Sequence, residues 1–296
     1  MKPKITIGVC VRNSAETIPE TINSIMKQNY PHKLMEVIFV DDGSEDDTLS
    51  VIKEHSSKMD ISVKIFHTSW RGLGPARNTV LKNAVGKYII WVDGDITLPE
   101  NHVKKQVEFM EQNPDVAIAG GTYELLNHTS LVAFLDNLGY VAYRLRFGTS
   151  LPGTGGAIYR VEAIRQIGGF DENIKGAGED IDVAYRVKVA GWSVVRDNAS
   201  FYGRSKESWN ELFRHCVWHG YGAHYLVHKN KGIISPPTMS PPIILIAGVL
   251  YSMSAYKLIK RKIAFLLPLH AIFKNVAWWT GFIKGHMEDY GHNCRR

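Results

Sequence analysis

The stretch KYIIWVDGDITLP, residues 87–99, decides the fold. Residues 88–92 form a short apolar run, rich in aromatic and β-branched side chains, directly after Gly86 and Lys87. Such a run predicts a parallel-sheet strand covered on both faces. It leads into Asp93-Gly94-Asp95, and open α/β sheets place their ligands at the carboxyl ends of strands. Gly94 permits a tight turn, which lets the carboxylates meet a hard, oxygen-seeking cation. A polar turn after a core strand uses the same residue types, so the surrounding chain has to discriminate.

Towards the N-terminus, residues 5–11 read as a first strand, followed by a helix over 16–29 with Ile18, Ile22 and Ile25 on one face and Asn13 or Ser14 as its cap. Residues 37–40 predict a second buried strand ending in Asp41-Asp42-Gly43-Ser44. A helix over 48–55 follows, then a third strand over 63–67 and a helix from Pro75 to Ala84. This alternation predicts a parallel sheet covered by helices. Gly72-Leu73-Gly74-Pro75-Ala76-Arg77 begins like a dinucleotide fingerprint, but Arg77 occupies its last glycine position and the run follows the third strand. That argues against a Rossmann oxidoreductase. The first strand leads into no glycine-rich phosphate loop, which argues against P-loop enzymes and sugar nucleotidyltransferases.

Towards the C-terminus, a helix to about Gln112 and a strand over 116–120 are expected. Residues 122–150 resist assignment and are expected to cover the acceptor side. Gly153-Thr154-Gly155-Gly156 leads into a strand at 157–159 and a helix over 161–167. After Gly168-Gly169-Phe170-Asp171 comes Gly178-Glu179-Asp180, then a helix over 181–190 with Ile181, Ala184, Val187 and Val189 inward. Glu179 and Asp180 fall in its first turn, where the helix dipole alone favours acidic residues.

The 296 residues are 45% hydrophobic and 22% charged, as in an ordinary folded protein. Cys10, Cys216 and Cys294 form no Cys-x-x-Cys pair, which argues against a disulfide framework or thiolate zinc site and favours a reducing compartment. The opening MKPKITIGVCV runs directly into a strand, so no leader is expected. The net charge of +6 is uneven, because residues 201–296 hold 13 Lys and Arg against 4 Asp and Glu. A basic, apolar tail on an acidic remainder points to an anionic membrane surface and away from nucleic acid.

Four stretches in fixed order carry a resemblance: Val40-Asp41-Asp42-Gly43-Ser44, Gly72 to Asn78, Asp93-Gly94-Asp95, and Gly168-Gly169-Phe170-Asp171 with Gly178-Glu179-Asp180. Over roughly residues 3–220 the chain resembles the family-2 glycosyltransferases, inverting enzymes of the GT-A fold. The resemblance implies an α/β GT-A fold with a mainly parallel sheet. It implies a nucleotide-sugar donor, with UDP ahead of GDP, held by Val11, Arg12, Asp41 and Asp42; Asp41 is the favoured contact to the base. Arg77 is similar to the family's arginine near the nucleotide and diphosphate. Asp95 resembles the family's metal-bound aspartate, with Asp93 near the ribose or the metal, and Mg²⁺ or Mn²⁺ as the ion. Asp180 resembles the general base, and Glu179 orients the acceptor or tunes that base. Gly155 and Gly156 are expected to leave room for an acceptor sugar.

The chain departs from the processive polysaccharide synthases in lacking Gln-x-x-Arg-Trp, which favours transfer of one sugar to a saccharide or lipid-linked acceptor. A small processive synthase and a catalytically silent nucleotide-sugar binding module are the alternatives; the retained Asp93, Asp95 and Asp180 speak against the latter. His215 and His219 share a helical face, but no Glu follows His215 and no third ligand is evident, so zinc is not expected there. One of them is an alternative ligand of the catalytic metal or diphosphate. His224 and His228 read as surface residues.

The proline-rich run at 235–242 predicts a boundary between a catalytic domain, 1–230, and a helical membrane-associating region, 231–296. Residues 243–256 are apolar but shorter than the roughly 20 residues a spanning helix needs. Lys257, Lys260, Arg261 and Lys262 follow. Residues 263–283 are interrupted by Pro268, His270, Lys274 and Asn275 and end near Trp278-Trp279. The pattern predicts helices lying in the interface, peripheral or shallowly inserted at the cytoplasmic face. A helical pair packed on protein, or a two-span hairpin, would use similar residues.

Overall fold

The computed structural model describes residues 4–125, 130–147, 152–230 and 232–292. Cys294, and parts of the unassigned stretch at 126–129 and 148–150, lie outside them. The first elements alternate as expected: β1 (Ile5–Val11), α1 (Ile18–Met26), β2 (Met35–Asp42), α2 (Thr48–Ser56), β3 (Ser62–Thr68), α3 (Leu73–Asn83) and β4 (Tyr88–Trp91). Next come β5 (Ile96–Thr97), α4 (His102–Gln112), β6 (Val116–Leu125), α5 (Leu131–Phe147), β7 (Ile158–Arg160), α6 (Val161–Gln166), α7 (Glu179–Val189) and β8 (Ser193–Gly203). The last helices are α8 (Trp209–Lys229), α9 (Pro241–Ile259) and α10 (Leu267–Met287).

The strands form one sheet in the order β3-β2-β1-β4-β7-β6-β8-β5. The β3-β2-β1-β4 half is parallel, whereas β7 runs antiparallel to β4 and β6, and β5 runs antiparallel to β8. The parallel half is the one that alternating apolar runs and helices announce. The other half contains β5 and β8, which the sequence reading left unassigned: β5 has two residues, and β8 is polar along much of its length.

The chain divides into two compact units. One comprises residues 1–124, 151–175 and 179–204; the other comprises 125–150, 176–178 and 205–296. The boundary expected at 230/231 therefore lies inside the second unit, because α8 belongs with α10, against which it packs.

In the first unit, side-chain alternation along the strands builds two cores. Ile5, Ile7, Val9 and Val11 meet Ile18, Ile22 and Ile25 of α1 and Val103, Val107 and Met110 of α4. The opposite face, with Cys10, Ile38, Val40, Ile89 and Trp91, meets Ala76, Val80 and Leu81 of α3 and Val183, Ala184 and Val187 of α7. Val189, expected inward, is 70% exposed, because α7 ends there and the chain turns at Gly191. Asp182 is buried instead, neutralised by Arg186 at 2.7 Å.

The second unit is helical. Leu135, Leu138 and Ala142 of α5 pack with Ala255 of α9, Ala264 and Leu267, while Leu212 and Cys216 of α8 meet Val132 and Ala277. Three polar side chains of α10 bond to protein groups. Lys274 donates to Asp136 at 2.5 Å, and Asn275 and Trp279 both donate to the Met239 carbonyl at 2.8 and 2.7 Å. Trp278 is buried. Lys274, Asn275 and Trp279 of α10 thus meet protein groups. α9 differs from expectation, since it runs for 19 residues, long and apolar enough to cross a membrane by length and composition. It leaves Ile243, Leu245, Ile246, Val249 and Met253 exposed.

His102, at the start of α4, lies under the site-forming loop. Its Nδ1 is 2.6 Å from the Ser200 carbonyl and its Nε2 is 3.1 Å from the Gly156 carbonyl. Burial holds the imidazole down to about 4, so the ring is neutral and donates to only one of them. Donation to Ser200 fits best, because Gln106 already donates to the Gly156 carbonyl at 2.8 Å. Since the folded-state value lies below the unfolded one, this histidine's contribution is complete above about pH 6.5 and is lost as pH falls towards 4. We expect about 2 kcal/mol of pH-dependent stability between pH 7 and pH 5 from His102 alone. Urea unfolding of the wild type and His102→Gln at both pH values measures it, the variant showing the smaller difference.

Candidate active site

The site assembles at the carboxyl end of β4, within the first unit. Asp93 follows the strand directly, and its side chain retains 39% exposure. Beside it runs the 153–156 loop. A Cβ on Gly155 would lie 3.6 Å from an Asp93 carboxylate oxygen, and one on Gly153 would lie 3.1 Å from Asp180 Oδ2. Gly153 and Gly155 thus bring the backbone close to both carboxylates. Gly156, expected to face an acceptor, turns at φ +62° beside Phe201, and its carbonyl accepts from Gln106 at 2.8 Å. These contacts fix the 153–156 loop.

Arg77, reaching in from α3, has a side chain only 3% exposed. It ion-pairs with Glu179 and lies 3.4 Å from Asp93, while donating to the Thr154 hydroxyl at 2.7 Å. Its guanidinium stacks 5.7 Å from the Trp91 ring and 5.8 Å from Phe170, as a weakly hydrated planar cation favours. The resemblance implied an arginine near the nucleotide and diphosphate. In the structure Arg77 is a buried clamp that holds two carboxylates and the 153–156 loop together.

The α3 helix that carries Arg77 is itself fixed by Asn78. Its amide donates to the Phe170 carbonyl at 2.9 Å and accepts from the Phe170 N–H at 2.8 Å. This two-way bond joins Gly72–Asn78 to Gly168–Asp171, and Asn78 had been quoted only as part of a motif.

Asp180 caps its own helix start, its Oδ1 accepting from the Ile181 N–H at 2.8 Å. Burial raises the Asp93 pKa, and the like charges of Asp95 and Asp180 raise it further, with Arg77 opposing. A cation would relieve that repulsion. Asp93 and Asp95 offer only hard carboxylate oxygens, a donor set that fits Mg²⁺ or Mn²⁺ rather than a soft metal.

The Asp41-Asp42 pair is differently disposed. Asp42 accepts from the N–H groups of Arg71 and Gly72 at 2.9 and 2.7 Å and from the Thr68 hydroxyl. Asp41 accepts from the N–H and hydroxyl of Ser44, and its Oδ2 lies 2.9 Å from His67 Nδ1. Both carboxylates are buried and brace loops. Val11 is also buried. What this edge turns outward is Arg12, paired with Glu45 and 5.4 Å over the ring of Trp70, together with Trp70 itself, 54% exposed, and His67. Sequence reasoning missed Trp70 because a lone aromatic in a polar loop has no periodicity to betray it. His215 and His219 belong to the second unit, on α8, with their Nε2 atoms 3.2 Å apart.

The fold and its carboxylate-lined strand end define a GT-A glycosyltransferase architecture. It is similar to a mannosyltransferase from Pyrobaculum calidifontis solved with GDP-Man and Mn²⁺, with a TM-score of 0.68 and 19% identity, covering 97% of this chain and 88% of that one. The Staphylococcus aureus TarS 1–349 structure with UDP-GlcNAc gives 0.54 and 18%, covering 96% and 92%. The profile of Glycosyl transferase family 2 matches residues 6–168, and that of Glycosyl transferase family group 2 matches residues 88–284. The chain belongs to glycosyl transferase family 2. Among curated relatives, the poly(ribitol-phosphate) β-N-acetylglucosaminyltransferase TarS of S. aureus is 33% identical over 37% of this chain and 19% of its own length. The Escherichia coli UDP-Glc:α-D-GlcNAc-diphosphoundecaprenol β-1,3-glucosyltransferase WfgD is 33% identical over 40% of this chain and 46% of its own. The chain thus spans less than half the length of these relatives.

Removing Arg77 takes from the buried Glu179 the cation that it pairs with, and breaking such a buried pair costs about 3–5 kcal/mol. Arg77→Met should show that loss in chemical denaturation, and Arg77→Met/Glu179→Gln should recover most of it.

Proposed function

We propose that this protein is an inverting glycosyltransferase that moves one sugar from a nucleotide-diphosphate sugar to a hydroxyl of a saccharide or lipid-linked acceptor. The observation that supports it most is the gathering of Asp93 and Asp180 around Gly153 and Gly155 at the end of β4, with Asp95 adding its charge to Asp93. Arg12 and the exposed face near Trp70 receive the nucleobase, by stacking and by the guanidinium. Asp93 and Asp95 hold Mg²⁺ or Mn²⁺, which when bound neutralises charge on the leaving diphosphate. Asp180 accepts the proton of the acceptor hydroxyl as its oxygen bonds to the sugar's C1 from the face opposite the departing oxygen. The C1–O bond to the diphosphate breaks, and the nucleoside diphosphate leaves with that electron pair. Glu179, fixed by Arg77, keeps the first turn of α7 and hence Asp180 in place.

The exposed apolar side of α9 continues into the exposed cations Lys257, Lys260, Arg261 and Lys262 and the exposed Phe265, Leu266 and Leu269. Apolar groups beside a basic cluster suit the surface of an anionic membrane. We place the enzyme there, peripheral or shallowly inserted at the cytoplasmic face, where a lipid-linked acceptor is presented.

Asp180→Asn should lower kcat by on the order of 10²–10⁴-fold with unfolding unchanged; full activity would remove Asp180 as the base. A thermal-shift panel of UDP- and GDP-sugars should show stabilisation that requires Mn²⁺ and disappears in Asp95→Ala. Replacing Lys257, Lys260, Arg261 and Lys262 by Gln should weaken sedimentation with anionic vesicles by ~10²–10³-fold, at about 1 kcal/mol per charge. Unchanged sedimentation would refute the membrane surface.

A further inference from the structure

The second unit carries a histidine cluster that the transfer reaction does not use. His224 on α8, His286 near the end of α10 and His292 in the turn beyond it each offer a ring nitrogen, all within 4.8 Å of one another. We propose that these three form a second, nitrogen-ligated metal site, selective for Zn²⁺ and related transition ions, which clips the end of α10 and the following turn to α8.

The tautomer of the buried member supports this. His224 is 1% exposed, and its Nδ1 lies 2.6 Å from the Tyr290 carbonyl. A carbonyl only accepts, so Nδ1 carries the proton and Nε2 presents its lone pair. A ring N–H donated to a backbone carbonyl is the outer-shell arrangement that orients metal-binding histidines. His292 Nδ1 faces the Asp289 carboxylate at 3.6 Å, beyond hydrogen-bond distance. His228, one turn along α8 from His224, has its ring centroid 4.3 Å from that of His292 and 4.6 Å from that of His224. It is the candidate fourth ligand of a tetrahedral site.

The backbone is shaped for the meeting. A Cβ on Gly285 would stand 2.9 Å from His224 Cβ, so α10 passes close to that residue only because position 285 is glycine. The chain then reverses through two left-handed residues, Asp289 at φ 51° and Gly291 at φ 94°, which returns His292 to α8. The Tyr290 ring stacks on Tyr221 at 4.4 Å, and the Tyr221 hydroxyl donates to Glu288 at 2.9 Å. A non-glycine residue in the left-handed region is unusual and costs free energy. Imidazoles favour Zn²⁺, Ni²⁺ or Cu²⁺, whereas Mg²⁺ and Mn²⁺ favour oxygen. The site therefore differs in chemistry from the Asp93–Asp95 pair.

The test uses the full chain without an affinity tag, stripped by chelation, in an Asp95→Ala background that disables the carboxylate site. Titration with Zn²⁺ and with Co²⁺ should show one equivalent bound per chain, a tetrahedral Co²⁺ absorption spectrum and a raised Tm, with no such response to Mn²⁺. His286 and His292 are exposed, so His286→Ala/His292→Ala should fold and lose affinity by more than the 10–100-fold typical of outer-shell changes. His215→Ala/His219→Ala should retain the binding. Absence of stoichiometric Zn²⁺ or Co²⁺ binding, binding unchanged in His286→Ala/His292→Ala, or binding abolished by His215→Ala/His219→Ala would each overturn the proposal.

Discussion

The arrangement of the first unit depends on one buried cation. Arg77 joins Glu179 at the start of α7, Asp93 at the end of β4 and Thr154 in the loop between them, three elements distant in sequence. Several carboxylates in one place repel each other unless a fixed positive charge holds them, and the guanidinium fork meets several partners at once. The aromatic layer of Trp91, Tyr159 and Phe170 beneath it is a rigid, weakly solvating floor. Trp91 meets Phe170 edge-on at 5.4 Å and Tyr159 at 6.2 Å. A buried arginine is costly without partners, so the clamp and the carboxylates require each other.

The same economy governs the loops around the strand ends. Asp41 and Asp42 are the last residues of β2, and Asp93 lies just beyond the end of β4. Their carboxylates close the turns at Ser44 and at Arg71–Gly72, whereas Asp93 keeps part of its surface open. One motif thus braces loops, while the carboxylate of the other stays partly open. Backbone N–H groups that would otherwise be orphaned consume the first pair.

The two helical features of the second unit also part company. α10 directs its lysine, histidine and asparagine towards protein groups, so its interrupted apolar pattern records packing. α9 keeps one apolar side exposed and is followed by a basic cluster. Both looked alike as composition, because hydropathy counts residues without asking where they face.

Much of the fold was legible directly. Alternating apolar runs and helical faces located β1 to β4 and their helices to within a few residues, and the Asp-Gly-Asp turn after β4 fell where a parallel strand must end. These features follow from local periodicity and turn chemistry, which the chain carries wherever it folds. The antiparallel strands β5 and β8, the burial of Arg77, the engagement of Asp41 and the meeting of His224 with His286 and His292 were not legible. Each depends on groups far apart in sequence arriving together, where hydrogen-bond satisfaction and desolvation, not residue type, set the outcome. The amino-acid sequence alone determined which carboxylates and cations were available and on which strand ends. Only the tertiary structure decided which were spent on holding the chain and which were left facing outward, because burial and partnership exist only once distant segments have met.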